Sequence, residues 1–308
     1  MFSVLFPGQG SQFVGMAKEF FNNFNYIKDL FEEADNELNF KLSDLILNGP
    51  KDLLDQTENT QPAIFLASYS IFKCLEKETS FTNKSFKFYA GHSLGEYSAI
   101  ACSGALNFIE TLKLLKLRGQ LMQHAVKDSS GGMIAILGSE IDIIKQILNN
   151  NEDNFKCYIA NDNSNGQVVI SGYLSDLNNL SIVLKKKNIK NMILPVSAPF
   201  HSPLMNDASE KMQEQILKTD FDKPVVPLIS NVTAKPVESI DEIKKLLIQQ
   251  INSPVRWRES ILHIINNGVT KFIEIGPGKV LSGLVKRIDK SVILKQINNL
   301  NDIKKIND

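Results

Sequence analysis

The first hydrophobic run of the chain is short. Phe2 to Phe6 is almost continuously apolar and predicts a strand buried on both faces. It enters a glycine-bearing loop, Pro7 to Gly15, beyond which apolar positions recur at helical spacing to about Glu78. Within that stretch Asp29 to Leu38 predicts a short amphipathic helix. Thr60 to Glu78 predicts another, with Pro62 in its first turn, where a missing N–H is tolerated. A second strand is expected at Phe86 to Ala90. The turn Gly91-His92-Ser93-Leu94-Gly95 follows, then a helix beginning near Gly95. After the break at Ser103-Gly104 comes a helix over Phe108 to Val126.

The middle of the chain alternates differently. Gly132 to Gly138 reads as a strand, Ile141 to Asn149 as a helix, and Cys157 to Asn161 and Gln167 to Ser171 as two strands flanking an Asn- and Gly-rich turn. Leu174 to Lys187 is helical, with a solvated basic end at Lys185-Lys186-Lys187, and Met192 to Val196 is strand-like. This β-α-β-β-α-β order predicts a small ferredoxin-like domain over residues 127–197. It would be inserted into a discontinuous large α/β domain of residues 1–126 and 198–308. In the second part of that domain helices are expected over Pro203 to Leu217, Ser239 to Gln250 and Pro254 to Asn267. Strands are expected at Val225 to Ser230 and Lys271 to Ile275, the latter followed by a GPGKV turn and a helix to about Ile288. No repeat of solenoid length is visible.

Composition narrows the function. The chain has 308 residues, 43% of them hydrophobic and 22% charged, the profile of an ordinary globular protein. Lys and Arg number 34, as do Asp and Glu, so no basic excess points to nucleic acid. No apolar run is long enough to span a membrane, and Phe2 to Phe6 lacks the basic flank and the length of a signal peptide. Cys74, Cys102 and Cys157 are far apart and form no CxxC. Neither a zinc site nor a disulfide framework is expected, and the count fits a reducing, cytoplasmic setting. No metal or other cofactor is expected.

The chemistry concentrates in Gly91-His92-Ser93-Leu94-Gly95, a GxSxG sequence between a strand and a helix. In that context the turn is a nucleophile elbow. It lifts the Ser93 hydroxyl out of the sheet and aims helix N-terminal N–H groups, Leu94 first, at a forming oxyanion. The competing reading is a chance match in a loop. Of four histidines, His92 adjoins Ser93 and should point away from it, His124 ends a helix, and His263 lies in an apolar helix. His201, in a Pro-flanked loop after a strand, is left as the best base by elimination. The loop Gly8-Gln9-Gly10-Ser11 offers a second oxyanion N–H or is a plain tight turn; it fails GxGxxG at Phe13. GPGK at 276–279 fails the P-loop pattern and reads as a strand-to-helix turn. Arg118, judged by its own helix, is more simply a solvated face than a carboxylate ligand.

Six segments occur in register: PGQGSQ, GHSLGEYSA, the Arg118 helix, the His201 segment, PVRW at 254–257 and EIGPGKVL at 274–281. Together they resemble the malonyl-CoA:acyl carrier protein transacylases of the acyltransferase family of fatty-acid and polyketide synthesis, over essentially the whole chain. The resemblance implies an α/β-hydrolase-like large domain with a short parallel sheet. It implies Ser93 as acylated nucleophile, His201 as base and acid, and Gln9 and Leu94 as backbone oxyanion donors. Arg118 would hold the malonyl carboxylate, and the Gln250 carbonyl would orient the histidine. His92 and Phe200 match the malonyl-type substrate pattern. Malonyl-CoA and acyl carrier protein are the implied partners. The latter is acidic, so a basic rim is expected, with Lys190, Lys286 and Arg287 as candidates. A stand-alone monomer is expected. The rival enzyme is an esterase, which would need a triad acid between Ser93 and His201; Asp128, Asp142, Asp162 and Asp176 are available.

Overall fold

The structure is a computed structural model describing residues 1–126, 130–150, 155–196 and 198–306. Ten strands are seen among the described residues. In chain order they are β1 (Phe2–Phe6), β2 (Phe86–Gly91), β3 (Gly131–Leu137), β4 (Cys157–Ser164), β5 (Gln167–Tyr173), β6 (Lys190–Ile193), β7 (Leu228–Ile229), β8 (Pro236–Val237), β9 (Lys271–Ile275) and β10 (Ile293–Ile297). They form a mixed α/β structure with two sheets, ordered β10-β9-β1-β2-β7-β8 and β4-β5-β3-β6. The first is parallel except for the β7–β8 edge; the second is antiparallel throughout.

The large sheet is buried on both faces, which explains the unbroken apolar runs of β1 and β2. Val4, Phe6 and Tyr89 face one hydrophobic cluster, while Leu5, Phe88 and Ala90 face another. The small sheet divides its faces similarly. Ile134, Ile136, Val168 and Ile170 pack under the helices Ile141–Asn149 and Leu174–Lys186, whereas Met133, Ala135 and Val169 face a cleft between the sheets. β4 ties the small sheet to the segment that leads into the helix Trp257–Asn266. Val255 exchanges backbone hydrogen bonds with Ala160 and Asp162 (2.8 and 3.0 Å), and buried Asp162 pairs with Arg258 at 2.8 Å.

Several boundaries differ from expectation. The helix over Pro62 begins a turn earlier, at Thr57, so Pro62 sits in its interior rather than its first turn. The helix from Phe108 stops at Gln123, and the one expected from Pro254 starts at Trp257. The strand expected over 225–230 shrinks to Leu228–Ile229, and β6 lies two residues before the expected start. β4 extends through the Asn-rich segment to Ser164, because its pairing with β5 and with Val255 overrides the low strand propensity of Asn and Asp. β10 has no expected counterpart. No described helix is long and apolar enough to cross a membrane.

Candidate active site

β1 and β2 are parallel neighbours in the middle of the large sheet, with Phe6 opposite Gly91, so the loops that follow them emerge side by side. The β2 loop is sharp. Ser93 has φ 55° and ψ −112°, a conformation disfavoured for any residue with a Cβ. It is over-determined by its surroundings. Ser93 N–H donates to Asn231 Oδ1 (2.8 Å), Asn231 Nδ2 donates to the Gly91 carbonyl (2.7 Å), and the Ser93 carbonyl accepts from Gln250 Nε2 (2.9 Å). The flanking glycines are required by close approach. A Cβ on Gly91 would lie 1.8 Å from the Gly95 oxygen, and one on Gly95 would lie 2.2 Å from the Phe6 oxygen. The helix Leu94–Cys102 therefore starts directly on β1, with its N-terminus beside the Ser93 hydroxyl.

His201 reaches that hydroxyl from the loop after β6. Ser93 Oγ and His201 Nε2 are 2.7 Å apart. His201 Nδ1–H donates to the Gln250 carbonyl at 2.8 Å. Gln250 is the last residue of the helix Ile240–Gln250, where carbonyls lack intrahelical partners and the helix dipole is negative. This bond leaves the Nε2 lone pair facing serine. Burial, reinforced by the nearby Arg118 cation, lowers the His201 pKa to about 3, so the imidazole is neutral at physiological pH. A hydroxyl against a neutral, oriented imidazole can act as a nucleophile.

Arg118 is the largest correction to the reading of its helix in isolation. Its side chain is not on a solvated face but is 1% exposed. The helix Phe108–Gln123 lies close against the helix Thr57–Glu78, where a Cβ on Gly119 would fall 2.6 Å from Glu58 Cα. That approach carries Arg118 inward. Its Nη1 donates to Gln61 Oε1 (2.7 Å), and its Nη2 donates to Gln250 Oε1 (2.9 Å) and Ser93 Oγ (3.1 Å). Its buried Nε has no partner among the described residues. A buried guanidinium with a spare donor suits a carboxylate ligand.

Ser93, His201 and Arg118 line a cleft of about 700 Å³, together with Gln9, Leu94, His92 and Phe200. All the residues singled out from sequence for the chemistry therefore converge here except Gln250, which lies behind Ser93. The His92 ring turns away from the serine: its Nε2 bonds Asn163 Oδ1 (2.8 Å) and the ring packs on Trp257. His124 is exposed at its helix end, and His263 lies against Phe88 and does not line the cleft. Of the basic rim, Arg287 donates to Gln167 at the cleft edge (2.9 Å), while Lys286 turns to the Lys290 carbonyl. The esterase triad is not assembled among the described residues. A carbonyl occupies His201 Nδ1, Asp162 is taken by Arg258, Asp142 by Lys145, and Asp176 faces the Lys156 N–H. Asp128 lies outside the described residues.

Sequence reasoning misses Asn231, Gln61, Asn163 and Glu96. Glu96 is 3% exposed, and burial pushes its pKa up to about 7 against the opposing pull of Gln250, Asn231 and Arg118. The one available signal is Gln61, at the head of the apolar run Pro62 to Ala67; an acidic residue in a first helical turn, as Glu96 is, is ordinary.

An elbow serine with a neutral histidine and a buried cation, on a mixed α/β fold, defines an enzyme that handles acyl groups. Residues 4–303 match the acyl transferase domain model, and the chain belongs to that family. It is 45% identical to the malonyl CoA-acyl carrier protein transacylase of Bacillus subtilis, covering 93% of this chain and 90% of that protein. The Escherichia coli enzyme of the same name is 36% identical over 96% of each chain. An acyl-carrier-protein S-malonyltransferase structure from Bartonella henselae superposes with TM-score 0.96 at 40% identity, covering 99% and 98% of the two chains. A malonyl-transacylase solved with its type II polyketide acyl carrier protein gives 0.94 at 35% identity, covering 98% and 97%.

Proposed function

We propose that this enzyme moves a malonyl group from malonyl-CoA to the phosphopantetheine thiol of an acyl carrier protein, through an ester on Ser93, and so supplies malonyl carrier for fatty-acid elongation. One observation carries the reading. The Ser93 hydroxyl lies 2.7 Å from the base nitrogen of His201 and 3.1 Å from the guanidinium of Arg118. Nucleophile, base and carboxylate-binding cation thus meet at one oxygen, and the relatives' names agree with it.

The mechanism is ping-pong. Ser93 Oγ attacks the thioester carbonyl carbon as its proton passes to His201 Nε2. The carbonyl electron pair moves to oxygen, where the Leu94 and Gln9 N–H groups are the proposed donors. Collapse breaks the C–S bond, and CoA leaves as the thiol with the proton from His201. In the second half the carrier thiol gives its proton to His201 and attacks the ester carbonyl. Ser93 Oγ then leaves and recovers the proton. The negative end of the helix Ile240–Gln250 favours the transient imidazolium, the task an aspartate performs in other serine enzymes. Arg118 pairs with the free malonyl carboxylate; without it the cation is left beside an apolar methyl, which disfavours acetyl groups.

We read residues 127–197 as a ferredoxin-like domain inserted into a hydrolase-like catalytic domain, supported by the β4-β5-β3-β6 order and by the cleft between the sheets. His92 and Phe200 would shape the acyl end of that cleft, and Arg287 with Lys190 would face an acidic carrier. A cytoplasmic monomer completes the reading. The test is intact-protein mass spectrometry after brief exposure to malonyl-CoA. A malonyl adduct that is absent in Ser93→Ala and weak with acetyl-CoA is expected. Release of free malonate without an adduct would point to a hydrolase and overturn the proposal.

A further inference from the structure

Beneath the elbow a buried polar cluster joins Arg118 and Gln250 to Glu96, a residue that the transfer steps above do not use. Glu96 Oε2 accepts from Gln250 Nε2 at 2.6 Å and from the Asn231 N–H at 3.2 Å. The same Gln250 amide accepts from Arg118 Nη2 through Oε1 at 2.9 Å, and its backbone carbonyl holds His201. One amide thus separates a buried carboxylate from a buried guanidinium, its N–H end toward the anion and its oxygen toward the cation. The orientation is dictated by charge, since a flipped amide would place donor against donor at Arg118 and acceptor against acceptor at Glu96. The Asn231 side chain, anchored by its own N–H to Glu96, holds the Ser93 N–H.

We propose that Glu96 is a positioning and specificity-determining residue for the malonyl group, acting through Gln250. Its carboxylate holds Arg118 in place before the acyl group arrives and competes with the malonyl carboxylate for the charge of Arg118. The inference rests on the malonyl-transfer reading. The competition follows from Coulomb's law in a site shielded from water. Arg118 and Glu96 balance each other in the resting site, and a second carboxylate on Arg118 leaves the cluster one negative charge in excess. Malonyl binding then favours proton uptake by Glu96, whose proton affinity burial has already raised. Among the described residues, the other titratable groups facing the cluster are Tyr97 on the same helix, whose ring lies 5.5 Å from the Arg118 guanidinium, and neutral His201.

Two variants separate the roles. Glu96→Gln keeps an acceptor oxygen for Gln250 and Asn231 but removes the competing charge. Glu96→Ala removes both. The readout is the rate of Ser93 acylation by malonyl-CoA and by acetyl-CoA from pH 6 to 8.5, with thermal melting as a fold control. For Glu96→Gln the expected result at pH 8 is a malonyl-to-acetyl ratio about five- to tenfold above wild type. It arises from a lower KM for malonyl-CoA and becomes independent of pH. In wild type the ratio climbs as pH falls through 7. Glu96→Ala lowers the ratio, because Gln250 and Arg118 lose their anchor; should it fail to fold, Glu96→Gln carries the test alone. A wild-type ratio and pH profile in Glu96→Gln would overturn the proposal, as would equal losses of malonyl and acetyl rates in both variants. A wild type that forms no malonyl ester would instead bring down the functional reading itself.

Discussion

Replacing Arg118 by alanine is the most direct probe of substrate choice in the proposed reaction. The guanidinium is 1% exposed and sits 3.1 Å from the Ser93 oxygen, so a carboxylate that meets it is withdrawn from water. Removing one partner of such a pair typically costs about 2–5 kcal/mol. That predicts a fall in malonyl acylation of roughly 30-fold to several thousandfold. Acetyl acylation should fall far less or rise, because no unpaired cation is left facing the methyl group. Arg118 also holds Gln61 and Gln250, so part of the loss is structural and shared by both substrates. The malonyl-to-acetyl ratio cancels that shared part. Stopped-flow acylation with each thioester, at matched folded fraction, measures it. If both rates drop by one factor, Arg118 acts on the serine or the fold rather than on the carboxylate, and the reasoning fails.

Two further outcomes follow from the geometry. With its folded pKa at about 3, below the ordinary value of 6.5, His201 should remain neutral at pH 5 by NMR of the imidazole carbons. An unfolded chain takes up that proton first as pH falls below 6.5, so stability is full above 6.5 and declines toward 3. This slope should flatten in His201→Gln, and equal slopes would refute the burial argument. Gly95→Ala would place a methyl 2.2 Å from the Phe6 oxygen and 2.9 Å from the Pro7 oxygen, both rigid backbone. It should cost more than about 2 kcal/mol in urea unfolding, and an unchanged midpoint would contradict the close contact of the elbow helix with β1.

The features legible in the chain are those with a local cause. β1, β2, β9 and the helix Ile141–Asn149 announce themselves because burial on two faces, or on one stripe, imposes a period on neighbouring residues. The elbow is visible because its glycines and serine lie within five consecutive residues, and the steric demand they meet is confined to one turn. His201 is reached from the residues only by eliminating three other histidines, since its partner lies 108 residues away. Other features depend on distant packing. Arg118 resembles any charge on a solvated helix until Gly119 admits the helix Thr57–Glu78 and turns the guanidinium inward. The polar run Asn161 to Ser164, which includes Asp162, looks like a loop in sequence. It becomes strand because β5 and Val255 satisfy its backbone from two sides.

The buried polar cluster is the extreme case. Glu96, Asn231 and Gln250 come from three separate segments, and each alone is an ordinary polar residue. A local pattern records which face of an element is apolar. It carries no record of which polar groups meet once those faces are packed, because that pairing depends on the relative placement of helices and sheets that only the folded core sets.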